Sequence, residues 1–388
     1  MPSTPSPAIV AVEWTELIGK RPRHAGRNAR LGDHGLDVRI PVARLTAEDG
    51  SQGFGFARAA EEDAERILGR TLDDLFNPTV GSRPHGRLFD FPLWDLAAKR
   101  AGQPVYALAA AMTGKDAPTA LRVPCYDTSL YFDDLHLADN AEAAALLAEE
   151  TRQGYARGHR NFKIKVGRGA RHLPVDKGTE RDIAVIRAVR EAAGPAAVLM
   201  IDANNGYTLN LTKRVLSETA DCRLYWLEEA FHEDAVLYRD LKEWLAAQGL
   251  PVLIADGEGE ASPSLLKWAQ DGLIDVVQYD IFGYGFTSWL ALGQKLDSSS
   301  VRSAPHHYGR GIGNYAAGHL AAAIGGFTFV EWDEATVAEI DASGYVIDEG
   351  FVRVPDAPGF GLNLDEEMFG RSVSDNGYSV TRDDGMMR

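Results

Sequence analysis

Short apolar runs alternate with amphipathic helical stretches through the last two-thirds of this chain. The runs are VPCYDTSL, FKIKV, VLMID, LYWLEE, PVLIAD, VVQYD, VRSAPH and FTFVEW. Helical periodicity fills the gaps at Ala141–Gly154, at Glu180–Ala193, over about 209–220 and at Ala235–Ala247. In the second of these, Ile183, Ile186, Val189 and Ala193 share one face. The next helix is expected from Ser262 as N-cap, with Pro263 at its first position and Gly272 beyond its end. Eight strands alternating with helices over ~230 residues predict an α/β fold, a (β/α)₈ TIM-like barrel at 121–354.

The pattern ahead of the barrel differs. Strand-like runs occupy 8–18 and 36–47, and a basic stretch, Arg21 to Gly35, is expected as a long loop between them. Gly50, Gly53 and Gly55 mark a turn and a third strand, and helical segments follow to about 115. Residues 1–120 therefore predict a small α+β domain behind a loose tail at 1–7. The segment 355–388 is expected to return and pack against it. The stretch 167–182 reads as a long loop after a barrel strand, where ordered loops are often functional.

A parallel β/α repeat delivers every strand end to the same face. Charged groups sit at these ends: Lys163 and Lys165, then Asp202, Glu228, Glu258, Asp280, His306 and Glu331. From Asp202 the steps are 26, 30, 22, 26 and 25 residues, about one β/α unit each. The groups should converge in space. Asp202, Glu228 and Glu258, without cysteine, describe a site for a hard cation: Mg²⁺ suits it, and Mn²⁺ can substitute. Asp256 competes with Glu258 as the third ligand. Lys163 and Lys165 share a strand face. Mutual repulsion and a nearby cation are expected to lower their pKa values towards those of a general base. Asp280 can hold an imidazole in one tautomer, either His306 or the adjacent His307. Glu331 is expected to donate a hydrogen bond to substrate if protonated.

Together these groups suit removal of a proton next to a carboxylate, giving an enediolate. A divalent ion ~4 Å from the added charge, at an effective dielectric of ~20, favours that state by about 8 kcal/mol.

Composition narrows the class. The 388 residues carry a net charge of −16, which disfavours nucleic acid as a partner. No run of ~18 apolar residues predicts a membrane span. The opening MPSTPSPAIV lacks a basic segment followed by an apolar core, so no secretory signal is expected. Two cysteines, Cys125 and Cys222, form no disulfide framework. A cytoplasmic protein is expected, acting on a small carboxylate and forming a homo-oligomer.

At these residues the chain resembles the enolase superfamily, in its mandelate racemase-like branch. LFDFPLWDLAAKRAGQPVYAL is similar to the helix pair of that family's N-terminal capping domain. FKIKVG, IDANNGYT, YWLEEAF, IADGE and APHHYGRGIGNYAAGHLAAA resemble its lysine, metal and histidine strands in order. Ala230 stands where the family usually has proline. The resemblance implies that Asp202, Glu228 and Glu258 bind Mg²⁺ and that Lys165 is the base on one substrate face. Lys163 would contact the carboxylate, and His306 with Asp280 would be the acid/base on the other face. Asn204 would contact substrate or metal-bound water, and Glu331 would face the carboxylate end. Capping loops choose the substrate in such enzymes. Arg21, Arg23, His24, Arg27 and Arg30 would then suit a polyhydroxy or diacid substrate, with Arg23 and His24 as substrate-binding candidates.

The leading expectation is dehydration of an acid sugar to a 2-keto-3-deoxy acid. Racemisation, epimerisation or cycloisomerisation would use the same two bases. A Schiff-base lyase acting through Lys165, indifferent to EDTA, and a non-catalytic binding protein are the other classes.

Overall fold

The computed structural model describes residues 6–259, 261–308 and 312–382. Its first sheet is antiparallel, with strands Ile9–Ala25, Gly35–Ala47 and Gln52–Phe56 in chain order. The C-terminal strand Tyr378–Thr381 pairs with the outer side of the first, placing Val12 opposite Val380 and Trp14 opposite Tyr378. The Trp14 and Tyr378 rings stack at 5.6 Å. Helices Asp90–Arg100 and Val105–Met112 follow, and Asp90–Arg100 lies so close to the third strand that Gly53 has no room for a Cβ: one there would stand 2.3 Å from Leu96 N.

The long loop expected at Arg21–Gly35 is shorter than its composition suggested. The first strand continues to Ala25, leaving 26–34 as the connection. Burial alternates through this stretch, with Arg21 and Ala25 in and Lys20, Pro22 and His24 out. Charge on a period of two disguised a strand.

The barrel strands are Leu121–Leu130, Asn161–Lys165, Val198–Asp202, Leu224–Glu228, Leu253–Asp256, Val276–Val277, Arg302–Ser303 and Val330–Trp332. They run parallel in chain order, and the eighth pairs with the first. A lone bridge between Ser303 and Phe327 closes the ring. The sixth and seventh strands are short, but the parallel bridge Asp280–His306 keeps their outgoing ends in register. Asp139, Thr208 and Asp234 cap the helices Asn140–Ala156, Leu209–Glu218 and Ala235–Gln248 through their side-chain oxygens.

Two helix expectations shift. The helix anticipated from Ser262 begins at Leu265, because Ser262 and Pro263 lie in a preceding turn; Ser262 Oγ accepts from Ser264 N. The loop expected over 167–182 ends early, because the helix Val175–Ala193 takes up its second half.

Tyr126, Met200, Trp226, Ala255, Val276, Ala304 and Phe329 pack as a separate buried cluster. Two residues further along six of those strands stand Thr128, Asp202, Glu228, Gln278, His306 and Glu331. Side chains two apart share a strand face. The polar groups therefore form the next layer up, on an apolar floor.

Candidate active site

The three carboxylates expected to hold a metal converge. Asp202, Glu228 and Glu258 each offer an oxygen, and these atoms lie within 4.8 Å of one another. Asp202 and Glu228 are fully buried, and adjacent strands hold them opposite each other. Asp256 is engaged elsewhere: it accepts from Tyr238 Oη and from Gly257 N, which turns it away from the group. Of the two acidic residues left open, Glu258 joins the group and Asp256 does not. Burial foremost, with help from Asp202 and Glu258 and against the pull of Lys163, pushes the Glu228 carboxyl up to about 8. Such crowding of oxygen ligands, with a carboxyl driven to hold a proton, suits a hard divalent cation.

Lys163 lies 2.7 Å from Glu228 and 3.0 Å from Glu331. Lys165 bonds Asp202 and stands 5.3 Å from the centre of the Tyr131 ring. Both lysines are buried, which alone lowers an amine's pKa, yet the carboxylates outweigh burial and raise both. The lowering expected from their mutual repulsion is thus reversed on the protein's own charges.

His306 occupies the other end of the carboxylate group. Its Nδ1 lies 3.1 Å from Asp280 Oδ2, and its Nε2 lies 3.3 Å from Glu258 Oε1. A carboxylate only accepts, so Nδ1 carries the proton and Nε2 faces the site. Asp280 is itself fixed, its Oδ1 accepting from Phe282 N and Gly283 N. Burial would lower His306, but Glu258, Glu331 and Asp280 hold it up at about 10. His307 is turned away, its Nε2 bonded to the Glu331 carbonyl. Of the two adjacent histidines, His306 faces the carboxylates and His307 does not. Residues 309–311 of the histidine motif lie outside the described residues.

Glu331 differs from expectation. It accepts from Thr128 Oγ1 at 2.7 Å and from His307 N at 2.9 Å, and it pairs with Lys163. Burial opposes ionisation, but Lys163 and the two histidines hold its carboxyl well below the usual range. It is an ionised acceptor rather than a protonated donor. Asn204 Nδ2 donates to Glu229 Oε2 at 3.0 Å, and Asn204 Oδ1 is buried beside the carboxylates without a hydrogen-bond partner among the described residues.

Arg23 and His24, expected to bind substrate, do not join the cluster. Arg23 pairs with Asp133 at 2.7 Å and Glu150 at 3.1 Å, and the exposed His24 lies 3.9 Å from Asp133. The strand turns these residues to the flank of the barrel. Arg21 is the basic residue of this segment that reaches the site. Its guanidinium stands over the Tyr308 ring at 4.6 Å, and Tyr308 stacks on Tyr131 at 4.9 Å.

Sequence reasoning missed several members. Gln278 Nε2 donates to Glu228 Oε2 at 2.8 Å. Gln278 and Thr128 were findable: each is a polar residue two past an apolar floor residue. Arg168, fully buried, grips Asp134 and Asp182 and donates to the Lys165 carbonyl at 3.2 Å. No local signal marks it. Among the described residues no helix is long and apolar enough to cross a membrane.

Residues 146–368 match the family model described as enolase C-terminal domain-like. A galacturonate dehydratase from a Geobacillus species, solved with D-galacturonate and 5-keto-4-deoxy-D-galacturonate, is 50% identical with a TM-score of 0.91, covering 96% of this chain and 98% of that one. A mutant of galacturonate dehydratase from a Geobacillus species, complexed with Mg, is 49% identical with a TM-score of 0.92, covering 97% of each chain. Arabinonate dehydratase from Saccharolobus solfataricus is 26% identical over 375 residues, 87% of this chain and 91% of that protein.

Proposed function

This chain belongs to the enolase superfamily, and from that membership we propose that it is a Mg²⁺-dependent dehydratase of an acid sugar, working through an enediolate. The observation that carries the proposal is the group Asp202, Glu228 and Glu258, flanked by Lys165 at Asp202 and by an Asp280-oriented His306 at Glu258. The similarity to the Geobacillus enzyme puts a hexuronate such as D-galacturonate first among substrates.

Asp202, Glu228 and Glu258 would hold the divalent cation, which would supply positive charge beside the substrate carboxylate and, by competing for Asp202, favour the neutral amine of Lys165. Lys165 Nζ removes the proton from the carbon next to the carboxylate. Lys163 balances the charge that this places on the carboxylate oxygens, and Glu331 and Thr128 hold Lys163 in place. His306 enters protonated, which its carboxylate neighbours favour. It gives the Nε2 proton to the hydroxyl on the following carbon, which leaves as water. The enol that remains takes up a proton and becomes the 2-keto acid. Arg23 and His24 have no part in this scheme. We further take the enzyme to be cytoplasmic, a view supported by its acidity and its two buried free cysteines.

The test is a semicarbazide assay of the purified, Mg²⁺-loaded protein on hexuronates, aldonates and aldarates. Lys165→Ala and His306→Asn should each lose at least a thousandfold in kcat. Wild type that forms no keto acid from any of them would remove dehydration. Solvent deuterium entering recovered substrate, without keto product, would put racemisation in its place.

A further inference from the structure

Five basic residues line the segment from Arg21 to Arg30, and on sequence grounds they suit either a polyhydroxy or a diacid substrate. Their pairing argues against the diacid. Arg27 pairs with Asp33 in solvent, and Arg23 is spent on Asp133 and Glu150. Arg21 alone reaches the wall above the catalytic groups. That wall runs from Lys165 to the Tyr131 ring, then to Tyr308, then to the Arg21 guanidinium, one ring at a time. It ends on the first strand, Ile9–Ala25, on the side of the N-terminal sheet, so an acid that extends from the barrel groups towards that sheet brings its far end against it.

The charge of Arg21 is already answered. Its Nη2 lies 3.2 Å from Asp333 Oδ2, with both side chains at most 5% exposed. Nη1 is directed at the carbonyls of His34 and Gly35, at 3.4 Å each. Asp333 is anchored in turn, its Oδ1 accepting from Ala335 N and its backbone N–H donating to Asn314 Oδ1. His34 packs against Tyr131 at 4.6 Å and Tyr308 at 5.7 Å. Its Nδ1 lies 2.9 Å from the Gly26 carbonyl, which only accepts. Nδ1 therefore holds the proton, and Nε2 of the neutral ring is an acceptor. Burial, then Lys165 and Arg21, keep this ring from taking a second proton. Two polar atoms of the wall remain without hydrogen-bond partners among the described residues: Arg21 Nε and Tyr308 Oη.

We propose that Arg21, neutralised by Asp333, together with Tyr308 and His34, reads the far end of the substrate as an uncharged hydroxyl or carbonyl terminus and rejects a second carboxylate. Arg21 Nε and Tyr308 Oη serve an oxygen, and His34 Nε2 takes a hydroxyl proton. A terminal carboxylate would meet a cation already paired and an acceptor nitrogen. Burying it there leaves charge unmatched, which costs far more than a missing hydrogen bond. This assignment rests on the dehydratase reading above.

The test compares sugar acids that differ only at the far carbon: D-galacturonate with galactarate, and D-glucuronate with glucarate. Wild type should favour the monoacid of the productive pair at least a hundredfold in kcat/KM. Asp333→Asn keeps the shape and the Ala335 contact but frees the Arg21 charge. It should narrow that preference at least tenfold, chiefly through the KM of the diacid. Inhibition of monoacid turnover by the matching diacid gives a readout that needs no variant: in wild type the diacid should inhibit only at concentrations at least thirtyfold above the monoacid KM. Equal use of both members by wild type, tight inhibition by the diacid, or an unchanged ratio in folded Asp333→Asn would overturn the assignment. Failure to turn over either member of both pairs, or any other sugar acid, would instead overturn the dehydratase reading.

Discussion

Nδ1 of His319 accepts a hydrogen bond from the backbone N–H of Tyr106 at 3.0 Å, tying a barrel helix to a helix of the cap. Nε2 then carries the proton and donates to Tyr345 Oη at 2.8 Å, which donates onward to the Phe360 carbonyl. No place is left for a second proton, and burial pushes the imidazole down to about 3. The folded value lies below the unfolded value of about 6.5, so the unfolded chain takes the proton first. This stability is complete above pH 6.5 and is lost as the pH falls towards 3. At pH 5 the loss is about 2 kcal/mol. Urea midpoints at pH 7.5, 6 and 5 should fall more steeply for wild type than for His319→Asn, whose amide oxygen still accepts from Tyr106. Parallel slopes would show that His319 does not titrate in this range.

The metal group makes a prediction about neighbours two residues apart. Glu258 joins Asp202 and Glu228, whereas Asp256 is held by Tyr238 and Gly257. Calorimetric titration with Mg²⁺ should show Glu258→Gln weakened at least tenfold. Asp256→Asn should stay within threefold of wild type. The reverse order would reassign the third ligand.

Arg168 joins the loop after the first barrel strand, through Asp134, to the helix after the second, through Asp182, while holding the Lys165 carbonyl. Removing one member of a buried ion-pair network costs about 3–5 kcal/mol, because the partners stay buried without it. Arg168→Met should lower stability by that order in denaturant titration. Arg168→Lys keeps the charge but not the planar fork. It should fold, lose kcat at least tenfold and leave KM within a factor of two, since the displaced group is the base. A matched rise in KM would point to general loosening instead.

Gly206 lies beneath the cap. A Cβ there would stand 2.7 Å from Ala29 Cβ and 2.8 Å from the Ala203 carbonyl. The loop holding Ala29 is otherwise fastened to the barrel by Arg171 on the Arg30 carbonyl and His172 on the Asn28 carbonyl. Gly206→Ala should lift this loop, raise KM severalfold and speed tryptic cleavage at Arg27 and Arg30. Gly370→Ala, where nothing lies within 4 Å of an added Cβ, serves as the control. Equal cleavage of the two variants would mean that the seat does not hold the loop.

The barrel and its ring of charges were legible because strand ends repeat at one β/α interval and strand faces at two residues. Asp202, Glu228, His306 and Glu331 each stand two residues past an apolar floor residue, so spacing alone aims them. The capping segment was not legible in the same way. Arg21 is turned towards Tyr308 and Arg23 towards Asp133 by Asp333, Asp133 and Glu150, which lie over a hundred residues away. The charge balance around the lysines was only partly legible for a related reason. Sequence places Lys163 beside Lys165 but does not weigh that neighbour against carboxylates arriving from other strands. Arg168 left no trace because its partners come from a loop and a helix that follow different strands.

The pairing of Tyr378–Thr381 with Ile9–Ala25 has a consequence for how the molecule is made. A polypeptide leaving the ribosome can finish its barrel while the sheet that carries its lid still lacks an outer strand. That edge of the sheet can therefore be completed only once the last strand has emerged.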